Sequence, residues 1–158
     1  MNDALGYSGR RCIVTGAASG VGEATTRILI DLGAEVHTVD VRKPDISGIA
    51  SFSETDLTDS EAISRTVDAI GKVVNNLFNC APVPAGAARE LTERVIPNMI
   101  DGAVIASVAD DEIARYTASR SGELVDLGIR INCVGPDQAW PLVLLGSPRS
   151  SPVTGACL

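Results

Sequence analysis

The segment Thr15-Gly16-Ala17-Ala18-Ser19-Gly20-Val21-Gly22 lies between a short apolar run and a stretch with helical periodicity. The run before it, Cys12-Ile13-Val14, is typical of a buried strand. After it, apolar residues recur at helical spacing from position 21 to position 32, and Gly33 ends the predicted helix. The segment therefore predicts a glycine-rich turn that joins the first strand of a sheet to the first helix.

Glycines at such a turn let the backbone approach a phosphate group, and the helix that follows offers free N–H groups at its positive end. The glycines run G-x-x-x-G-x-G, which differs both from G-x-G-x-x-G and from the Walker pattern with Gly-Lys-Ser/Thr. We predict that this turn holds the pyrophosphate of a dinucleotide. A turn that serves the fold alone is the alternative. The residues predicted to contact the cofactor here are Gly16, Ser19, Gly20, Val21 and Gly22.

Asp40 is a second signal for a dinucleotide, because it ends the next predicted strand, 20 residues after Gly20. A carboxylate at that place accepts hydrogen bonds from both ribose hydroxyls and repels a 2′-phosphate. Asp40, with its neighbour Val41, therefore favours NAD over NADP. The basic residues Arg42 and Lys43 lie close by and would accommodate the phosphate, which keeps NADP as the less favoured alternative. A solvated Asp40 without a ligand is also compatible with the sequence.

Strand and helix patterns alternate along the whole chain. Strands are predicted at residues 12–14, 35–41, 50–55, 73–81, 103–108 and 129–134. Helices are predicted at residues 21–32, 58–70 and 91–100 and within 111–127, with a kink or break expected at Pro97. Such alternation implies parallel β-α-β units. We therefore predict an α/β fold in one domain, residues 1–158, built as a three-layer, Rossmann-like, doubly wound parallel sheet.

Composition and charge exclude several classes of protein. The chain has 158 residues, a formal net charge of −7 and a pI near 4.6, without a basic cluster. Nucleic-acid binding through phosphate neutralisation is therefore not expected. No run of about 18 apolar residues lacks charges, so no membrane-spanning helix is predicted. His37 is the sole histidine and no C-x-x-C motif occurs, so no metal site is predicted.

The four cysteines are widely spaced, at positions 12, 80, 133 and 157. We predict reduced thiols that serve the core, as is usual in the cytoplasm. The first six residues lack the basic and apolar regions of a secretory signal. The predicted location of the protein is accordingly cytoplasmic.

Several ordered motifs resemble the short-chain dehydrogenase/reductase family. The pattern Thr-Gly-x-x-x-Gly-x-Gly is followed by Asp40 and by Asp56-Leu57. Four later segments resemble that family's motifs in the same order: Asn79-Cys80-Ala81, Ile105-Ala106-Ser107-Val108-Ala109, Tyr116-Thr117-Ala118-Ser119-Arg120 and Gly128-Ile129-Arg130-Ile131-Asn132-Cys133-Val134-Gly135-Pro136. The resemblance implies a second group of cofactor contacts, namely Asp56, Leu57, Asn79, Ala81, Tyr116, Arg120 and Pro136.

In that family a hydride passes between a nicotinamide and an alcohol or carbonyl group. The resemblance implies that Tyr116 is the general acid or base and that Ser107 holds the substrate oxygen. Arg120 stands where the family has a lysine, whose charge lowers the pKa of the tyrosine. Arginine supplies the charge but has a different, planar shape. The predicted function is NAD-dependent oxidation or reduction of a small alcohol or carbonyl compound.

Departures from the family's motifs support a second hypothesis, a catalytically impaired or inactive NAD-binding relative, natural or shortened by engineering. Pro82 and Pro84 stand where the family has a glycine and an asparagine, and Trp140 stands where it has a threonine. Ser107 and Tyr116 are separated by only 9 positions. A methyltransferase-like use of the same glycine turn is a third, weaker hypothesis.

The C-terminal part of the chain leads to two further expectations, one about the edge of the sheet and one about association. Residues 147–155 resemble the segment before the family's last strand, so the sheet is expected to lack that strand and to leave the sixth at an open edge. Proteins usually cover or pair such an edge, and the family commonly associates through helices beside its fourth and fifth strands. We therefore expect a homo-oligomer whose other partners are small-molecule substrates.

Overall fold

One parallel sheet forms the centre of the protein. The computed structural model describes residues 3–150 and 152–158. The strands in these residues are β1 (Arg11–Thr15), β2 (Glu35–Asp40), β3 (Ser51–Glu54), β4 (Val74–Asn79), β5 (Met99–Val108) and β6 (Arg130–Val134). They lie in the order β3-β2-β1-β4-β5-β6. The strand order reverses between β1 and β4, and ligands bind at this point in sheets of this class.

Helices connect the strands, as parallel pairing requires. The helices are α1 (Gly20–Asp31), α2 (Ser60–Ile70), α3 (Ala85–Val95), α4 (Asp111–Val125) and α5 (Ala139–Gly146). Two short 3₁₀ turns follow α3 and α5, at Ile96–Asn98 and Pro148–Ser150. None of the helices in the described ranges is both long and apolar enough to cross a bilayer.

The helices cover both faces of the sheet. Because side chains alternate along a strand, Ile13 of β1 packs with α2, α3 and α4, whereas its neighbours Cys12 and Val14 pack with α1 and α5. The two apolar clusters are separated by the sheet and are both fully buried at their centres. This arrangement confirms the predicted three-layer, doubly wound α/β fold.

The third helix differs from its predicted bounds. The apolar spacing predicted residues 91–100, but α3 covers Ala85–Val95 and β5 already begins at Met99. Pro97 falls in the 3₁₀ turn between them, which confirms the expected break. The helix begins earlier because Pro84 precedes it in an extended conformation, with φ −53° and ψ 143°.

The outer edge of β6 is partly covered by the end of the chain. The N–H of Cys133 donates to the carbonyl of Ala156 at 2.8 Å, and the N–H of Leu158 donates back to Cys133 at 2.9 Å. The N–H of Gly135 donates to the carbonyl of Leu158 at 2.8 Å, and the N–H of Gly155 donates to the carbonyl of Ile131 at 2.7 Å. The described residues thus contain six strands, as expected, but the predicted open edge at the sixth strand was wrong.

A disulfide joins the same two segments. Cys133 of β6 and Cys157 are bonded, with their Cα atoms 4.4 Å apart. Cys12 and Cys80 are free thiols. The prediction of reduced thiols was therefore wrong for Cys133 and Cys157. The two cysteines are 24 positions apart, so the sequence alone does not indicate that they are in contact. The contact arises because the C-terminal segment runs beside β6.

Candidate functional site

The turn between β1 and α1 packs so closely that two positions require glycine. A Cβ atom on Gly16 would lie 2.6 Å from the Cα of Ala81, and the backbone of Gly16 has a φ of +69°. A Cβ on Gly22 would overlap the carbonyl oxygen of Gly16. The side chain of Ser19 makes no capping bond with α1. The first N–H groups of the helix are therefore left for a ligand, which is the arrangement that binds phosphate.

The carboxylate of Asp40 lies directly beside this turn. Its Oδ2 accepts a hydrogen bond from the N–H of Ala18 at 2.9 Å, and its Oδ1 accepts one from the N–H of Arg42 at 3.0 Å. The N–H of Gly16 donates a hydrogen bond to the carbonyl of Val39 at 2.9 Å, which holds the end of β2 against the turn. Two signals that are about 20 residues apart in sequence thus form one site, because the glycine turn follows β1, Asp40 ends β2, and these two strands are adjacent and parallel.

A cavity of about 440 Å³ opens beside Asp40 and the glycine turn. Seven of the residues predicted to contact a cofactor line this cavity: Gly16, Ser19, Asp40, Val41, Asp56, Leu57 and Ala81. Val39, Arg42, Thr55, Pro82 and Val83 complete its lining. Gly20, Val21 and Gly22 form the adjoining first turn of α1. Pro136, in contrast, lies exposed beyond the end of β6 and does not line this cavity.

A second cavity, of about 220 Å³, continues from the first toward β5. The two share four lining residues, Leu57, Ala81, Pro82 and Val83. The second adds Asn79, Ser107 and Asp110, together with apolar side chains of β5 and α4. We call the two cavities together the cleft. The cleft follows the carboxyl ends of the strands, and its glycine cradle, acidic side chain and two compartments fit an elongated dinucleotide.

Asn79 positions Ser107 within the second cavity. The Nδ2 of Asn79 donates to the Oγ of Ser107 at 3.2 Å and to the Oγ of Thr92 at 3.0 Å. Ser107 is 4% exposed, and its Oγ accepts this bond. The buried Oδ1 of Asn79 has no donor among the described residues. Ser107 therefore keeps its own hydroxyl proton for a ligand oxygen, and Asn79 keeps an acceptor.

Tyr116 and Arg120 face α3 and do not line either part of the cleft. The Tyr116 hydroxyl donates to Oε1 of Glu93, and the Arg120 guanidinium forms two bonds to the same carboxylate, at 2.9 and 3.1 Å. A second carboxylate, Glu123, binds Arg120 at 2.7 Å. The spacing of four residues places Tyr116 and Arg120 on one side of α4, as the motif implies. The structure does not bring Tyr116 together with Ser107.

The short link between Ser107 and α4 explains this orientation. The helix begins at Asp111, only four positions after Ser107, and buries Ile113 and Thr117 against the rest of the protein. Tyr116 precedes Thr117 by one residue, which rotates it by about 100° around the helix, toward α3. Sequence reasoning missed Glu93 because it lies on a different helix, 23 positions before Tyr116.

Glu93 and Arg120 form an ion pair, and the Tyr116 hydroxyl is hydrogen-bonded to the carboxylate of that pair. Burial, followed by the neighbouring Glu93, raises the pKa of Tyr116 above its ordinary value. The hydrogen bond from Arg120 lowers the pKa of Glu93. A tyrosine that acts as a base near neutral pH needs a lowered pKa, so the observed contacts hold Tyr116 in its protonated form.

Asp110 is the carboxylate that does line the cleft near Ser107. Its Oδ1 caps α4 by accepting the N–H of Ile113 at 2.9 Å. Cys80, in the same cavity, is inert, since burial raises the pKa of its thiol to about 12. An acidic residue just before a helix is a capping signal that could have indicated Asp110. Among residues 3–150 and 152–158, no three acidic, histidine or cysteine side chains are grouped as metal ligands.

Comparison with known proteins identifies the family. Residues 10–109 match the family model described as short chain dehydrogenase. The match covers more than half of the chain, from the residue before β1 to the residue after β5. The chain belongs to the short chain dehydrogenase family. The family expected from the motifs is thereby confirmed.

Curated relatives match part of the chain. A coniferyl-alcohol dehydrogenase from Pseudomonas sp. (strain HR199 / DSM 7063) is 33% identical over 86 residues, which are 54% of this chain and 33% of that protein. An L-xylulose reductase from Mesocricetus auratus is 38% identical over 81 residues, 46% of this chain and 33% of that protein. The matched segments thus span about a third of the length of these oxidoreductases.

Solved structures share the fold at low sequence identity. A short chain dehydrogenase from Leptospira borgpetersenii with bound NAD+ aligns with a TM-score of 0.85 at 15% identity, over 100% of this chain and 93% of that chain. A 3-ketoacyl-(acyl-carrier-protein) reductase from Brucella melitensis, complexed with NADH, aligns with a TM-score of 0.81 at 20% identity, over 96% of both chains. These likenesses establish the same Rossmann-like fold.

We predict that the substitution Glu93→Gln destabilises the protein at neutral pH. Because Arg120 lowers the pKa of folded Glu93, the carboxylate stabilises the fold above the unfolded pKa of about 4.3, and this effect is lost as pH falls through the folded pKa. The side chain of Glu93 is 43% exposed. Solvent screening therefore limits the loss to about 1 kcal/mol at pH 7.

Urea unfolding at pH 7 and at pH 3 measures this difference. Glu90→Gln is the matched control, because Glu90 forms a single ion pair with Arg94 on its own helix. We expect the Glu93 variant to lose more stability than the control at pH 7 and to approach the wild type at pH 3. An equal loss at both pH values would contradict the assigned ion pair.

Proposed function

We propose that this chain binds NAD along the cleft and transfers a hydride between its nicotinamide and a small alcohol or carbonyl compound. Membership of the short chain dehydrogenase family supports an oxidoreductase activity. The single observation that carries the proposal is the Asp40 carboxylate, held by two backbone N–H groups between the glycine turn and the larger cavity. Bound NAD would supply the hydride acceptor or donor.

The residues of the larger cavity have separable roles in this proposal. The glycine turn and the start of α1 would hold the pyrophosphate. Asp40 would accept hydrogen bonds from the ribose hydroxyls of the adenosine half, and Asp56 and Leu57 would border the adenine. Both carboxylate oxygens of Asp40 already accept a backbone N–H, which fixes the negative charge where a 2′-phosphate would have to lie. NAD is therefore proposed over NADP, despite the neighbouring guanidinium of Arg42.

Ser107 is proposed to orient the substrate oxygen. Its Oγ accepts a bond from Asn79, so its hydroxyl proton is directed to another acceptor, such as a carbonyl oxygen in the second cavity. The apolar lining beside it, from Val83, Ala88 and Ile113, suits a small substrate with an apolar body. In this role Ser107 would polarise the carbonyl group as the hydride arrives.

Tyr116 and Arg120 are proposed as the acid/base pair only in a second arrangement. The Tyr116 hydroxyl would have to leave Glu93 and turn into the cleft, with the Arg120 charge lowering the pKa of the phenol. The bonds to Glu93 are the observation that favours the second candidate function, NAD binding without turnover. In that case Tyr116 and Arg120 would serve to join α3 to α4.

The single domain, the homo-oligomer and the cytoplasmic location are also proposals. The continuous sheet supports a single domain over residues 1–158. A homo-oligomer stays a prediction, and the coverage of the β6 edge by residues 155–158 removes one argument for it. A cytoplasmic location stays a prediction as well, and the Cys133–Cys157 bond is the observation against it, since disulfides are rare in that compartment.

We predict that Gly22→Ala abolishes or strongly weakens NAD binding. The added Cβ overlaps the carbonyl of Gly16 and forces the phosphate turn open, which should weaken binding at least about tenfold. Gly122→Ala is the matched control, because nothing lies within 4 Å of a Cβ at that helical position. Calorimetric titration with NAD+ measures the affinity of both variants. Equal affinities for the two variants would contradict the proposed phosphate site.

A second prediction separates the two candidate functions. Oxidation of NADH, followed by its absorbance in the presence of a panel of aldehydes and ketones, should be slowed about 100-fold by Ser107→Ala. Tyr116→Phe should also reduce the rate if Tyr116 is the acid. If wild type and both variants bind NADH but none oxidises it, the protein binds the cofactor without turnover, and the proposed hydride transfer is wrong.

A further inference from the structure

A third cavity, of about 390 Å³, lies at the opposite end of the sheet. Arg10 immediately precedes β1, Arg130 begins β6, and both line this cavity together with residues near the start of β5. The third cavity shares no lining residue with the cleft. It is therefore separate from the carboxyl ends of the strands, where the dinucleotide is proposed to bind.

The two arginines of this cavity lack acidic partners. Five other arginines of the chain have a carboxylate within 4 Å: Arg11, Arg27, Arg65, Arg94 and Arg120. The other six have none among the described residues: Arg42, Arg89, Arg115 and Arg149 are exposed, whereas Arg10 and Arg130 are half-buried. Asp101 lines the cavity but forms no ion pair with either of them within that distance. Two cations thus share one concave site in a chain whose formal net charge is −7.

Neutral acceptors fix the position of the Arg10 guanidinium. Its Nε donates to Oδ1 of Asn76 at 2.8 Å, and its Nη2 donates to the carbonyls of Gly102 and Asn75 at 3.1 and 3.2 Å. Its Nη1 has no acceptor in the described part of the chain. The guanidinium is therefore held in place with two N–H donors to spare.

Arg130 is held in the same manner. Its Nη2 donates to the carbonyl of Ser147 at 2.7 Å, and its Nη1 donates to Ser150 and Val153, both at 3.1 Å. Its Nε finds no acceptor within the described ranges. Burial lowers the pKa of both arginines, and the charge of Arg10 lowers the pKa of Arg130 further. The two positive charges therefore repel each other while partly removed from water.

An anion between the two guanidinium groups would remove this cost, because it would neutralise both charges and accept their free N–H donors. The lining of the cavity also includes the apolar residues Val125, Ile129 and Pro148. We propose that the third cavity binds a small organic anion, with a phosphate or carboxylate group between Arg10 and Arg130 and an apolar body against Ile129. Asp101, at the same cavity, opposes such a ligand and limits its affinity.

Calorimetric titration with phenyl phosphate at low ionic strength tests this site. We expect saturable binding to the wild type and no binding of the neutral probe benzyl alcohol. Arg10→Gln should weaken binding about tenfold, since it removes one charge-assisted contact. Asp101→Asn should tighten it several-fold, because it removes a repelling charge but keeps both arginines. Arg115→Gln, an exposed position without an ion pair among the described residues, is the charge-matched control and should bind like the wild type.

Three results would overturn the proposal. The first is the absence of saturable phenyl phosphate binding to the wild type. The second is equal weakening by Arg10→Gln and Arg115→Gln, which would indicate a nonspecific charge effect. The third is competition between phenyl phosphate and NAD+, which would move the anion into the cleft. If Arg10→Gln does not fold, the Asp101→Asn variant still tests the proposal. Unchanged or weaker binding of phenyl phosphate by that variant would contradict the proposed repulsion between Asp101 and the anion.

Discussion

The close approach of the glycine turn to its neighbours is the constraint on which the rest of the structure depends. Without side chains at Gly16 and Gly22, the turn after β1 packs against both Ala81 and the first residues of α1. The Ser19 side chain leaves the start of α1 uncapped, and the Asp40 carboxylate accepts the N–H of Ala18 in the same turn. The end of the cleft at the glycine turn is therefore assembled largely by backbone contacts.

The parts of the site that follow parallel strands could be predicted from the sequence. Asp40 ends β2, and Leu57 and Ala81 follow β3 and β4 by only a few residues. A parallel sheet brings the ends of its strands to one edge, where all three residues line the larger cavity. The bounds of α3 and the disulfide could not be predicted in this way. Both depend on how distant segments pack, and neither the proline pattern nor the cysteine spacing contains that information.

The position of Tyr116 and Arg120 illustrates the same limit at the level of one helix. Spacing correctly places Tyr116 and Arg120 on one face of α4, but it does not state which neighbour that face meets. In the structure the face meets Glu93, and the side chains that share the second cavity are Ser107, Asn79 and Asp110. The glycine turn and Asp40 thus lie together as their motif predicts, while the Tyr116 hydroxyl is hydrogen-bonded to Glu93 outside the cleft.

The central claim is that the Asp40 carboxylate selects NAD at the glycine turn. Parallel calorimetric titrations of the wild-type protein with NAD+ and NADP+ test it most directly. Repulsion between the fixed carboxylate and the 2′-phosphate predicts saturable NAD+ binding and NADP+ binding that is at least about tenfold weaker. Equal or tighter binding of NADP+, or no binding of either dinucleotide, would contradict the account.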